Sequence, residues 1–173
     1  MSSTELDRLA EVVDDMIIQH DYPGFEPRSL RLGLPEEISR MPSKIFANAL
    51  GHKNVFVKLA ALRWFQERAG MAKSYINAIA GLMDDKDEFV RMEAVKTIEK
   101  FATVEPEILE RMSALLKDEH SDVRKATAKA IGKLASRSKT KSQAVLDALS
   151  DAANDKDPEV RMKVQKAVRM LSQ

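Results

Sequence analysis

Leu115-Leu116-Lys117-Asp118-Glu119-His120-Ser121-Asp122-Val123-Arg124 joins the end of one apolar-periodic segment to the start of another, and this junction recurs along the chain. Asn54-Val55-Phe56-Val57-Lys58, Asp87-Glu88-Phe89-Val90-Arg91 and Asp157-Pro158-Glu159-Val160-Arg161 carry the same pattern. Their valines stand at 57, 90, 123 and 160, spacings of 33, 33 and 37 residues. Self-similarity at such a period marks a stack of supersecondary units. The extra residues of the last interval fall in the polar stretch Ser136-Arg137-Ser138-Lys139-Thr140-Lys141, which reads as a loop.

Each unit reads as two helices. Before the valine, apolar residues recur at helical spacing: Ile76, Ile79, Leu82 and Met83 in one unit, Leu109, Met112, Leu115 and Leu116 in the next. A polar turn follows, such as Asp84-Asp85-Lys86-Asp87 or Asn154-Asp155-Lys156-Asp157, and supplies an N-cap for the second helix. From the valine onward the period resumes, through Val90, Ala94, Ile98 and Phe101, or Val160, Val164, Val168 and Leu171. One such hairpin cannot bury its apolar faces alone, whereas a stack can.

Composition agrees. The 173 residues suffice for one domain with a proper core, and the 5% aromatic content with few glycines and prolines disfavours a β-sandwich. The absence of cysteine removes disulfides, thiolate zinc sites and cysteine nucleophiles. Met1-Ser2-Ser3-Thr4-Glu5 shows no basic region leading into an apolar core, and no apolar run approaches the roughly 20 residues that span a bilayer. The expectation is a cytoplasmic protein. Charge is graded: residues 1–44 carry nine acids and five bases, whereas residues 117–173 carry thirteen bases and eight acids.

The junctions, above all Leu115–Leu134 and Asn154–Arg161, resemble the HEAT-repeat family, in particular its bacterial branch named after the phycobilisome lyases. The resemblance covers about residues 42–172 and implies an α-α superhelix. The expected organisation is one continuous all-α solenoid, with an N-terminal helical cap at 1–41 and HEAT-like repeats at about 42–70, 71–103, 104–137 and 138–173. In that family an Asp of the interhelical turn and an Arg six residues later build a ladder through the stack. The resemblance assigns these roles to Asp85 and Arg91, Asp118 and Arg124, and Asp155 and Arg161. The first repeat departs from the pattern, with His52 and Lys58 in those places.

At the N-terminal end, residues 4–20 read as an amphipathic helix with Leu6, Leu9, Val13, Met16 and Ile17 on one face. Tyr22-Pro23-Gly24 stops it, and Phe25 to Gly33 reads as an ordered loop. Leu34-Pro35-Glu36-Glu37 starts another helix, with Pro at its first position, and Pro42 breaks it before Ile45. This acidic segment suits a cap, or alternatively a displayed docking motif. Beyond Leu171 no capping element is evident, which leaves room for self-association at that end.

No constellation for catalysis emerges. His20, His52 and His120 lie on separate elements, and the iron-binding HEAT-like enzymes use His-Glu pairs, a dipeptide missing here. The turns Asp85-Lys86-Asp87-Glu88 and Asp155-Lys156-Asp157-Pro158-Glu159 lack the central Gly and distal Glu of calcium loops, and helix capping accounts for them. Neither a metal nor a cofactor is expected.

One pattern remains for binding. Six residues after each valine the position is always basic: Arg63, Lys96, Lys129 and Lys166. Six residues advance about 240° around the helix, away from the valine side. In HEAT stacks the second helices line the concave surface, so the resemblance turns this column into a positive stripe along a groove. Lys100, Lys125, Lys133 and Arg137 widen it. Trp64 adjoins Arg63 and reads equally as a binding anchor or as packing against the N-terminal cap.

The expected function is a non-enzymatic scaffold that holds a partner protein through an acidic segment, with Arg63, Trp64, Lys96, Lys100, Lys129, Lys133 and Lys166 as contact residues. Two alternatives come with the resemblance: a phycobilin lyase or lyase subunit acting on phycobiliproteins, and a nucleic-acid-binding HEAT-like protein. A net charge of +1 and a pI near 7.9 weigh against nucleic acid.

Overall fold

The polar turns act as the sequence requires of them. In the computed structural model, which describes residues 4–20, 33–138 and 142–172, Asp87 Oδ1 accepts from the amides of Phe89 and Val90. Asp157 Oδ1 accepts in the same way from Glu159 and Val160, and Asn54 Oδ1 from Phe56. Each bond satisfies an amide that the helix itself leaves without an acceptor. Among the described residues regular structure is helical throughout, with no strand.

The helices are α1 (Glu5–His20), α2 (Glu36–Ser39), α3 (Ser43–Ala49), α4 (Val55–Glu67), α5 (Ala69–Ala72), α6 (Ile76–Gly81), α7 (Glu88–Glu99), α8 (Pro106–Ala114), α9 (Ser121–Ser138), α10 (Gln143–Ala152) and α11 (Pro158–Leu171). They form two compact units, Met1–Leu82 and Met83–Gln173. The division falls inside the expected second repeat. The repeat valines Val57, Val90, Val123 and Val160 are at most 1% exposed, as core positions of the second helices.

In the first unit, α1 lies against α3 and α4, burying Leu9 and Val13 completely and leaving Leu6, Met16 and Ile17 half-buried. Pro35 and Pro42 stand at the N-caps of α2 and α3, one position earlier than expected for Pro35. The expected loop from Phe25 lies outside the described residues up to Gly33, whose φ of 86° is one that glycine adopts freely. The expected first helix of the second repeat is segmented: α5, a 3₁₀ turn at Lys73–Tyr75, then α6 ending at Gly81. None of these short pieces has a side-chain N-cap, and the stretch carries two of the chain's six glycines.

In the second unit, two complete hairpins follow α7. The first, α8–α9, begins with Pro106 in the first turn of α8, and in the second, α10–α11, Pro158 opens α11. Helix α9 packs between α7 and α11, while α8 packs on α10. Ile98, Leu109, Met112, Ile131, Leu134, Leu149 and Val164 fill the interior, none more than 1% exposed. Helix α9 continues through Ser136, Arg137 and Ser138, residues that the sequence assigns to a loop. Lys139 to Lys141, the rest of that expected loop, lie outside the described residues.

The ladder differs from the expected pairing in one respect. Each Arg meets its own turn through main-chain carbonyls, and for Arg91 and Arg124 the carboxylate partner belongs to the following turn. Arg91 Nη1 donates to the carbonyls of Asp85 and Lys86, while Nε and Nη2 grip Asp118 at 2.7 and 3.0 Å. Arg124 repeats this with the carbonyls of Asp118 and Glu119 and with Asp155 at 2.7 and 2.9 Å. Both are forked pairs between groups at most 10% exposed. The Arg124 bond holds the Asp155 carboxyl below its ordinary value, and at Asp118 burial opposes ionisation but Arg91 outweighs it.

Candidate functional site

The basic column divides according to which buried acids lie beside it. Lys96 on α7 bonds Glu93 at 2.7 Å, and Glu93 is only 1% exposed. Lys129 and Lys133, one turn apart on α9, share the carboxylate of Glu99, itself 6% exposed. Burial pushes the Glu99 carboxyl up, but the Lys133 hydrogen bond and both ammonium charges overcome it and leave it below the ordinary glutamate value. Arg137 adds bonds to the carbonyls of Glu99 and Phe101 at 3.1 and 3.2 Å. Lys125 is held between Asp122 and Glu159 at 2.7 and 3.1 Å. Much of the positive charge beside α7 is therefore spent inside the protein.

Between α9 and α11 the balance changes. A hollow of about 70 Å³ is floored by Ala128, Ala167 and Met170 and rimmed by Lys129, Lys133, Lys163 and Lys166. Lys163 and Lys166 make no ion pair with any described residue. Of the four ammonium groups, those of Lys129 and Lys133 share the Glu99 carboxylate, and the other two have no carboxylate among the described residues. Lys163, three residues after the last repeat valine, is absent from the sequence-derived column. Its side is set by the close approach of α11 to α9, which only the packing reveals. That approach depends on Gly132: a Cβ there would stand 2.8 Å from Ala167 Cα and 3.0 Å from its Cβ.

Lys100 is exposed and makes no ion pair among the described residues. Arg63 belongs to the first unit, where it is half-buried beside Gly33 and Leu34. Trp64 is corrected as a surface anchor, because it is 4% exposed. Its ring stacks on Phe46 with centroids 4.1 Å apart, and its Nε1 donates to the Ser39 carbonyl at 2.8 Å. The Arg68 guanidinium covers it 4.7 Å from the ring centroid and donates to Ser39 Oγ at 2.7 Å. The indole is committed to packing α4 against α2 and α3, the second of the two readings its sequence context allows.

The acidic turns are committed as well. Asp85, Asp118 and Asp155 each accept the amide two residues on, at 2.8–3.0 Å. Among the described residues no three His, Asp or Glu side chains are grouped to hold a metal ion. An open cleft of about 420 Å³ at the turns of the last two repeats is lined by both signs of charge. Within it Arg124 pairs with Asp155 and Lys117 with Asp151. Among the described residues no helix is long and apolar enough to cross a membrane.

Residues 108–173 match the HEAT repeats family. No curated protein sequence matches the chain. Among solved structures it is similar to a computationally designed armadillo repeat protein for modular peptide recognition, at 18% identity and a TM-score of 0.66, covering 95% of this chain and 73% of that one. A designed armadillo repeat protein in complex with the peptide (KR)4 matches at 16% identity and a TM-score of 0.59, over 96% and 91% of the two chains. Human deoxyhypusine hydroxylase matches at 19% identity and a TM-score of 0.62, with 96% of this chain aligned to 62% of the enzyme. In fold, then, this chain is a repeat protein of the HEAT and armadillo kind, its HEAT repeats recognised at residues 108–173.

Proposed function

We propose that this protein is a non-enzymatic binding module that holds an acidic segment of a partner protein across the second helices α9 and α11. The observation that carries the reading is the hollow rimmed by Lys129, Lys133, Lys163 and Lys166 over an apolar floor, where only the first two lysines are paired with an internal carboxylate. Such a place suits an Asp or Glu side chain whose neighbours are apolar, since the floor excludes water and strengthens the charge interaction. Two structural neighbours, one designed for modular peptide recognition and one in complex with (KR)4, support peptide holding by this architecture. The lysines here select the opposite charge to that basic peptide.

The test is fluorescence anisotropy with a labelled Glu- and Leu-rich peptide, comparing wild type with Lys163→Glu/Lys166→Glu. These lysines have no ion pair to lose, so the melting temperature should hold. Affinity should fall about tenfold or more, and wild-type binding should weaken as salt rises. Equal affinity in both proteins, or binding indifferent to salt, sinks the reading.

A further inference from the structure

The last hairpin carries the residues that the repeats before it use for stacking, but here they are uncovered. Val168 occupies the place that Ile98 holds in α7 and Ile131 in α9; those two are fully buried, whereas Val168 is 40% exposed. Met162 corresponds to Met92, 55% against 8% exposed. Leu146 of α10 corresponds to Leu109 of α8, 37% against 1%. Large apolar side chains left this exposed on one face are uncommon unless something covers them.

The same face holds an incomplete ladder rung. Arg161 is anchored as Arg91 and Arg124 are, with Nη1 donating to the carbonyls of Asp155 and Lys156 at 2.7 and 3.3 Å. In the earlier rungs Nε and Nη2 then grip the next turn's aspartate. On Arg161 those two donors meet no described residue. The guanidinium is pre-oriented for a forked carboxylate that has to come from outside the described fold.

We propose that the outer face of α10–α11 docks a partner presenting a helical hairpin of this same kind, with an Asp in its interhelical turn seated on Arg161 and apolar residues over Leu146, Met162 and Val168. Charge complementarity selects this occupant over a second copy of the chain. In another copy Asp118 and Asp155 are already held by Arg91 and Arg124, and a two-fold pairing of this face would oppose Arg161 to itself. The inference does not depend on the lysine-rimmed hollow.

The probe is one extra hairpin, a copy of residues 137–173 fused after Gln173 of the full chain. The added hairpin should fold onto α10–α11, raising helicity and melting temperature and shifting the Met162 and Val168 methyl resonances. Arg161→Ala and an Asn at the copied Asp155 should each cost stability in the fusion, with a coupling of about tenfold in the folding constant. Arg161→Ala in the unfused chain should change little. Strict additivity of the two changes, or methyl resonances unmoved by the fusion, would overturn the proposal. So would sedimentation showing that the unfused chain pairs with itself and that Met162→Lys abolishes the pairing, because the occupant would then be a second copy.

Discussion

Lys96 and Lys100 lie one turn apart on or just beyond α7, and by sequence both belong to the same basic stripe. Their surroundings separate them. Lys96 closes over the buried Glu93, whereas Lys100 is exposed and pairs with no described residue. Lys96→Glu should therefore lower stability by about 3 kcal/mol, by setting a second carboxylate against a nearly buried one. Lys100→Glu should stay within about 0.5 kcal/mol of wild type. Urea unfolding of the two variants checks the contrast, and equal effects would mean that Glu93 is not held by Lys96 in solution. Trp64 teaches the same lesson: a lone aromatic beside a basic residue reads equally as anchor or core, and only Phe46 and Ser39 decide it.

At the scale of helices, what was legible in the sequence is what is local. Asp87 and Asp157 cap α7 and α11 because their oxygens need reach only two or three residues. The direction of the ladder was not legible, because it depends on which turn lies next to which Arg. The buried Glu99 was hidden for a related reason: a charged residue inside a periodic pattern reads as solvated until lysines from α9 close over it. Gly132 also looked incidental, yet it sets the distance between α9 and α11. Gly132→Ala would gain up to about 1 kcal/mol in helix propensity. Overpacking against the Ala167 backbone should cost about 1–3 kcal/mol and outweigh that gain. Thermal melts decide the sign, and a stabilised variant would mean that the helices have room to part.

For the molecule as a whole, the buried ion pairs set a pH window. Asp118, Asp155 and Glu99 titrate in the folded protein below their ordinary values of 3.8, 3.8 and 4.5. A carboxyl with a depressed folded pKa contributes stability that is complete above its unfolded value and is lost as pH falls through the folded one. The melting temperature should thus be nearly flat from about pH 7 to 5 and drop steeply below about pH 4. Arg124→Ala should flatten that drop by removing one linked pair, at a cost of about 3 kcal/mol at neutral pH. A melting profile that continues level to pH 3 would contradict this. The helical class and the capped junctions before α7 and α11 were legible in the sequence, but the placement of charge was not, because burial and pairing are properties of neighbours.

The ladder also has a sense. Arg91 hands on to Asp118 and Arg124 hands on to Asp155, never the reverse, so the α8–α9 hairpin receives through a carboxylate and gives through a guanidinium. The joints are like links with a hook at one end and an eye at the other. A whole link, such as 104–137, can be removed or duplicated and the hooks still find eyes. A cut that separates an Asp from the Arg six residues after it leaves both neighbours mismatched. Lengthening or shortening such a chain by complete links is therefore the change that its chemistry tolerates best.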